Sequence, residues 1–274
     1  MLIGQAGNQS LPDDSKFMDL RLAMLLIAGS LIATAVNAQD SKQLSIGGPP
    51  TVEELVAKNI EAKGGADALR ALKSVYLKGK LLANQGQIEF SYVTTKKRPN
   101  EVRTEASLQG MTQVQAYDGT QGWQISPFGG RKDPEKMSED DTKSLIEDAE
   151  IDGPLVDWKA KGSTVEYLGT EDVDGTLAHK LKVTRKNGDI NYVYLDPDHF
   201  LEIRILTQRV VQGAQVEVET DLGDYEKIGG VFVPFSIEAG AKGSSDKQKI
   251  ILENGEANVP IDDAQFHFPA PAAK

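Results

Sequence analysis

Few residues in this chain have the types and spacing that chemistry demands. Asp196, Asp198 and His199 share one Asp-Pro-Asp-His turn and could offer ligands to a metal. A metal site needs further ligands converging from elsewhere. His179 and His267 are the only other histidines. Asp and Pro also serve such a turn for backbone reasons alone. Glu139-Asp140-Asp141 groups three carboxylates, yet a helix start accounts for them, since acidic residues complement the positive end of the helix dipole. The histidines fall in no motif, so no Ser-His-Asp arrangement is visible. There is no cysteine, which removes thiolate nucleophiles, thiolate metal sites and disulfides. Gly64-Gly65 lacks the Lys-Ser/Thr that completes a phosphate loop and reads as a helix stop. The sequence therefore points to no catalytic residue, no metal and no cofactor.

One charged residue stands out. Arg98 precedes Pro99, so Lys96 to Pro99 should run extended rather than helical. Its guanidinium is either a solvated strand end or a donor to backbone carbonyls of a lid across a cavity mouth. Lys96-Lys97-Arg98 and Arg131-Lys132 are short and lack interleaved aromatics, so they read as strand ends and solvated turns. The net charge of -11 repels phosphate backbones and argues against a nucleic-acid partner.

The elements that must position Arg98 follow from periodicity. Thr51-Val52-Glu53-Glu54 is a capping box. Val52, Leu55, Val56 and Ile60 share the face of the helix it opens, and a second short helix covers Ala66 to Leu72. From Ser74 the period becomes two. Val75, Leu77 and Leu81 alternate with Tyr76, Lys78 and Lys80, and Ile88, Phe90 and Tyr92 alternate with Gln87, Glu89 and Ser91. Val102, Thr104, Ala106 and Leu108 continue the pattern, Met111 to Tyr117 forms the next strand, and Asp118-Gly119 supplies a two-residue positive-φ hairpin before Gly122-Trp123-Gln124-Ile125. Such alternation marks an antiparallel sheet with one wet face. Ser138 caps a helix over Thr142 to Ala149 with Leu145 and Ile146, and Gly153-Pro154 separates a second short piece with Leu155, Val156 and Trp158. This helical insertion should cover the apolar sheet face. Strands then resume at Thr164, with turns at Asp174-Gly175, Asn187-Gly188 and Asp196 to His199, a long segment from Val210 to Leu222, and closing strands at Val231 to Pro234 and Lys249 to Leu252.

Residues 1–38 read as a signal peptide, with Met18 as an alternative start. Arg21 precedes the apolar run Leu22 to Thr34, and Val36 and Ala38 occupy the -3 and -1 positions before Gln39. The run is short for a membrane span, which needs roughly 20 residues; a retained anchor is the alternative. Residues 39–50 form a polar tether, and 51–274 a single domain in an exported, periplasmic setting.

Several short motifs occur in the order known from periplasmic lipoprotein carriers. They are Lys97-Arg98-Pro99-Asn100, then Asp118-Gly119 with Trp123 and Pro127-Phe128, then Asp263-Ala264-Gln265-Phe266-His267-Phe268 with Pro269. Gly175, Tyr194-Leu195-Asp196-Pro197, Asp224-Tyr225 and Val233-Pro234-Phe235 are similar to longer relatives. Over residues 51 to 269 the chain resembles the LolA/LolB-like superfamily of outer-membrane lipoprotein-sorting proteins. The resemblance implies an unclosed antiparallel β-barrel, a half-barrel, covered by helices acting as a lid over an apolar cavity. It implies a periplasmic carrier of acylated lipoproteins or lipids, with an inner-membrane release complex and an outer-membrane acceptor as partners. It places Arg98 at the family's lid-gating arginine, while Val102 stands where the closest carriers have a bulky aromatic. Ile88, Phe90, Tyr92, Val102, Trp123, Leu145, Ile146, Leu155 and Trp158 are the candidate lining and lid residues. A non-catalytic lipid-sensing or binding module on the same fold, acting through a partner, is the alternative function, and an enzyme acting on envelope lipids is a third.

Overall fold

The computed structural model describes residues 48–270. The signal-peptide reading and the first part of the tether lie outside them. Helix α1 (Val52–Ala62) opens with the capping box: Glu54 N–H donates to Thr51 Oγ1 at 3.2 Å, and Thr51 N–H donates to Glu54 Oε2 at 2.8 Å. Gly64 and Gly65 end it at φ of 117° and 91°. A Cβ on Gly64 would stand 2.2 Å from the Gly230 carbonyl oxygen, so only glycine lets this turn approach the sheet. Helix α2 (Ala66–Ala71) follows.

Among the described residues, thirteen strands form one antiparallel sheet. β1 (Ser74–Ala83) lies in its middle. β2 (Ile88–Lys97), β3 (Glu101–Leu108), β4 (Met111–Tyr117), β5 (Gly122–Ser126) and β6 (Arg131–Lys136) step outward by hairpins to one edge. Helix α3 (Glu139–Ala149) and a run of turns then carry the chain across to the opposite edge. From there β7 (Thr164–Val173), β8 (Thr176–Thr184), β9 (Ile190–Leu195), β10 (Glu202–Val211), β11 (Ala214–Ile228), β12 (Val231–Ala241) and β13 (Gln248–Ala257) step back inward. The last strand pairs with the first, Val75 opposite Ala257 and Leu81 opposite Ile250. The edges β6 and β7 do not pair, so the barrel is unclosed. This is the expected half-barrel with helices on one face.

Three local features differ from the sequence reading. β6 runs Arg-Lys-Asp-Pro-Glu-Lys and carries no alternation; it survives as an edge strand, where Pro134 needs no outward partner. Residues 151–162 form bends and turns, not a second helical piece. Asp174-Gly175 is a hairpin with both residues at positive φ, 50° and 90°. At Asp118-Gly119 only Gly119 is positive, at 89°. There the Asp118 carboxylate accepts from the N–H groups of Thr120 and Gln121 and from the Thr120 hydroxyl, and a longer turn results.

Register assigns side chains to faces. Ala116 is opposite Trp123, and Val114 opposite Ile125, so these four share the convex face. The C-terminal segment covers them: Trp123 Nε1–H donates to the Phe266 carbonyl at 2.7 Å, and Phe268 meets the indole edge-on. Phe266 is fully buried. Phe266→Ala should therefore cost about 3–5 kcal/mol through the cavity it leaves. Urea unfolding should show a lower midpoint with an unchanged slope, and Trp123 emission should shift to the red. A loss below about 1 kcal/mol would mean that the C-terminal segment does not hold this face.

Candidate functional site

The concave face begins under the helices. Leu55 and Val56 of α1 pack with Leu181, Val183, Val193 and Leu195 of β8 and β9, and Leu155 and Trp158 of the 151–162 segment join them. Leu69 and Leu72, in and just after α2, pack with Val75, Leu77, Ile228, Val231, Phe235 and Leu252, and Val156 closes over the same cluster. α3 lays Leu145 and Ala149 on Val102 and Tyr117. Its other side is polar. Lys143 Nζ donates to the Val210 carbonyl at 2.8 Å, and Asp140 accepts from the Gln212 N–H at 3.0 Å. Glu147 pairs with Arg209 at 2.9 Å, and Glu150 with Arg185 at 2.8 Å. One helix thus touches β3 and β4 with its apolar stripe and the β8–β11 hairpins with its charges.

Between these covers the sheet keeps an apolar stripe. Leu222 is opposite Ile237, Ile237 opposite Ile250, Ile250 opposite Leu81, and Leu81 opposite Phe90. Paired residues share a face, so five neighbouring strands, β11, β12, β13, β1 and β2, present one continuous row. Phe90 is buried, edge-on to Phe128 at 5.4 Å. Leu222, Ile237, Ile250 and Leu81 retain partial exposure. A surface that is apolar, concave and only partly covered is what an acyl chain needs. An open hollow of about 440 Å³ lies among β11, β12 and β13, lined by Asp224, Tyr225, Glu226, Phe235, Ile251 and Leu252.

The candidate lining residues divide. Ile88, Phe90, Tyr92 and Val102 lie on the concave face, since Ile88, Phe90 and Tyr92 alternate along β2 and Val102 is opposite Lys96 two places further on. Leu145, Leu155 and Trp158 belong to the cover. Trp123 is not among them: it sits on the convex face. Ile146 points away from the sheet and is 37% exposed. Sequence reading missed the β11–β13 part of the stripe. The runs Val231-Phe232-Val233 and Ile250-Ile251-Leu252 do not by themselves tell the two faces apart, and which face the helices leave uncovered depends on where α1 and α2 dock.

Arg98 occupies the β2–β3 turn. Its Nε and one terminal nitrogen donate to the carbonyls of Leu72 and Leu69 at 2.7 and 2.9 Å, and Asp152 takes both terminal nitrogens. The guanidinium thereby joins the sheet, the C-terminal end of α2 and the segment after α3. Cations suit helix C-terminal carbonyls. The Asp196 carboxylate accepts from the N–H groups of Asp198 and His199, as a turn-forming Asp does. His179 faces Tyr167 and stacks on Phe200.

Charged groups also enter the concave side. Tyr92, Lys96 and Asp148 all show strong desolvation: burial raises the Tyr92 hydroxyl and the Asp148 carboxyl and lowers the Lys96 ammonium. Asp148 nevertheless keeps an exposed side chain. A group both accessible to water and surrounded by protein lies inside an open hollow. Glu147 is raised as well, by burial, with Arg209 and Arg185 opposing. Its Oε1 and the Arg209 Nε have no hydrogen-bond partner among the described residues.

No family model and no curated protein matches the sequence. Solved structures do match the fold. A DUF1329 family protein from Desulfovibrio piger superposes with a TM-score of 0.53 at 14% identity, over 79% of this chain and 97% of that one. A LolA superfamily protein from Nitrosomonas europaea gives 0.53 at 14%, over 80% and 98%. A domain from Vibrio parahaemolyticus, described as an outer membrane lipoprotein-sorting protein, gives 0.50 at 10%, over 79% and 97%. Likeness at this level shows the fold, which is LolA-like.

The Glu147 clamp carries a pH signature. A raised carboxyl pKa means that the folded chain holds a proton the unfolded chain has released. Stability contributed by this group therefore falls as pH rises from the ordinary value of 4.5 through the folded value. Glu147→Gln lacks that term. Urea midpoints measured at about pH 4 and about pH 7.5 should show the variant gaining on the wild type as pH rises. A constant difference would mean that Glu147 titrates normally.

Proposed function

We propose that this LolA-like half-barrel is a non-catalytic carrier that shelters acyl chains of lipids or lipoproteins along its concave stripe. The observation that carries the reading is the row Leu222, Ile237, Ile250, Leu81 and Phe90, continuous across five strands and left partly open by the covering helices. Each methylene taken from water contributes about 0.8 kcal/mol, so a row of this kind gives an acyl chain a real reason to enter. The signal-like N-terminal sequence supports a periplasmic setting for the carrier, and the resemblance to lipoprotein-sorting proteins supports transfer to the outer membrane as its task. Arg98 acts as the latch, because among the described residues its side chain is the one that ties the β2–β3 turn to α2 and to Asp152. Release of α2 and the 151–162 segment would bare the stripe, and cargo would hold them apart.

A carboxylate placed in the row tests the groove. Ile237→Glu should weaken binding of a neutral naphthylamine dye by at least about tenfold, since a charge in an acyl site stays unpaired. Because Ile237 is partly exposed, the unfolding midpoint should drop only modestly. Undiminished dye binding would remove the stripe from consideration. Mass spectrometry of ligand extracted from protein isolated out of its native envelope should find acylated molecules. An empty groove with one fixed protein partner would instead indicate a stationary sensing module, and turnover of a lipid would indicate an enzyme.

Arg98→Leu tests the latch. Loss of two carbonyl contacts and a bidentate ion pair should loosen the cover and raise dye uptake several-fold, each charge-assisted bond counting for roughly 1.5–3 kcal/mol. Dye uptake and ligand release equal to wild type would end the latch role.

A further inference from the structure

The concave face is not apolar throughout. Along β2 the residues facing inward are Phe90, Tyr92, Thr94 and Lys96, opposite Leu81, Gly79, Leu77 and Val75 of β1. Lys96 is also opposite Val102. Val75 is 3% exposed and Val102 fully buried, so the ammonium stem lies between two core aliphatics. Any aliphatic residue would pack better there, and fold stability gives no reason for a lysine. Asp148 stands above it on α3. Helical spacing puts Asp148 between Leu145, which rests on the β3–β4 side, and Glu147, which pairs with Arg209 on β10. It therefore faces the hollow. The hydroxyls of Thr94 and Thr104 lie 3.3 Å apart on the same wall.

The other charges near Lys96 are already engaged. Lys63 pairs with Glu202 at 3.0 Å, Glu150 with Arg185 and Lys161, and Arg209 with Glu147. Among the described residues neither the Lys96 ammonium nor the Asp148 carboxylate has a side-chain hydrogen bond or an ion pair within 4 Å. Their charges sense each other without meeting. A cation and an anion held apart on opposite walls of one hollow match a molecule that brings both signs. A simple anion would satisfy Lys96 and be repelled by Asp148.

We propose that Lys96 and Asp148 receive the zwitterionic headgroup of an amphiphile, the anionic group at Lys96 and the cationic group at Asp148, with the acyl chain running along β2 toward the Phe90–Leu81–Ile250 stripe. The inference rests on the acyl-binding reading of that stripe and adds the class of ligand. Six residues of strand separate Lys96 from Phe90, about 20 Å at ~3.3 Å per residue. The headgroup thus enters beneath α3 and the chain extends along β2. Two otherwise unpaired charges find partners in a water-poor site, which favours the matching headgroup over others.

Three chain-matched amphiphiles test it by calorimetry: dodecylphosphocholine, dodecyl phosphate and dodecyl maltoside. The wild type should bind the zwitterion about tenfold or more tighter than the neutral maltoside. In Lys96→Met and in Asp148→Asn the ratio of zwitterion to neutral affinity should fall about tenfold, and in Asp148→Asn the anionic phosphate should gain on the zwitterion. If Lys96→Met fails to fold, Lys96→Arg should keep the ratio, and Asp148→Asn, at an accessible position, still reads the site. A wild type without headgroup preference, or a preference that survives both substitutions, overturns the assignment and leaves the acyl groove standing. Failure of all three amphiphiles to bind a folded protein overturns both.

Discussion

A single geometric demand shapes this molecule. α3 has 11 residues, so it is about 16 Å long. It packs on β3 and β4 and reaches Arg209 and Val210 of β10. In strand order β4 and β10 are seven places apart. On a flat sheet they would be about 34 Å apart. A helix of this length meets both only if the sheet curls around it. The demand comes from the chain path, because the crossover from edge strand β6 to edge strand β7 must traverse the whole sheet. α3 is the rigid part of that crossover, and its two unlike sides hold two unlike halves of the sheet. Curvature, cover and hollow are therefore one fact.

The two halves of the crossover differ in how they hold. α3 binds one flank by aliphatic packing and the other by ion pairs, some of whose atoms lack partners. Buried charges in such clamps give modest net stability, since desolvation offsets attraction. The 151–162 segment instead inserts Leu155 and Val156 into two separate clusters and is tied at Asp152 by Arg98. The cover is thus fixed by apolar plugs at its ends and by charges across its middle. The charged middle is the part that yields most readily to a competing ligand.

The sequence made the sheet legible because alternation with hairpin punctuation is a strong signal. β1 to β5 and β7 to β9 carried it, whereas the single segment read from Val210 to Leu222 is split by a hairpin at Gln212-Gly213, both at positive φ, into β10 and β11. β6 did not, since its pairing is imposed by β5 and its residues are chosen for an exposed edge. The caps of α1 and α3 were legible from Thr51, Glu54 and Ser138: the Thr51 and Ser138 hydroxyls accept from the N–H groups of Glu54 and Asp141, and the Glu54 carboxylate accepts from the Thr51 N–H. Faces were harder. Trp123 is the largest apolar residue of its strand and was expected inside the hollow, but Gly122 and Gln124 hold that side. A Trp on the convex face is explained by the C-terminal segment, whose Phe266, 143 residues away in sequence, accepts its indole N–H. Lys96 read as part of a basic turn because Lys97 and Arg98 follow it; alternation already set it on the Tyr92 face. The stripe on β11 to β13 needed the docking of α1 and α2, which no local pattern encodes.

The pairing of β1 with β13 carries one more consequence, for time rather than structure. Val75 meets Ala257 across nearly the full domain, so the central seam of the sheet is its longest-range contact. Each half can zip locally through its own hairpins, while the seam must wait for the entropy of a very long loop to be overcome. Folding should be limited by that seam, on the slow scale of non-local β proteins. Until it forms, two half-sheets expose the open edges of β1 and β13, both of which the finished molecule hides at its centre.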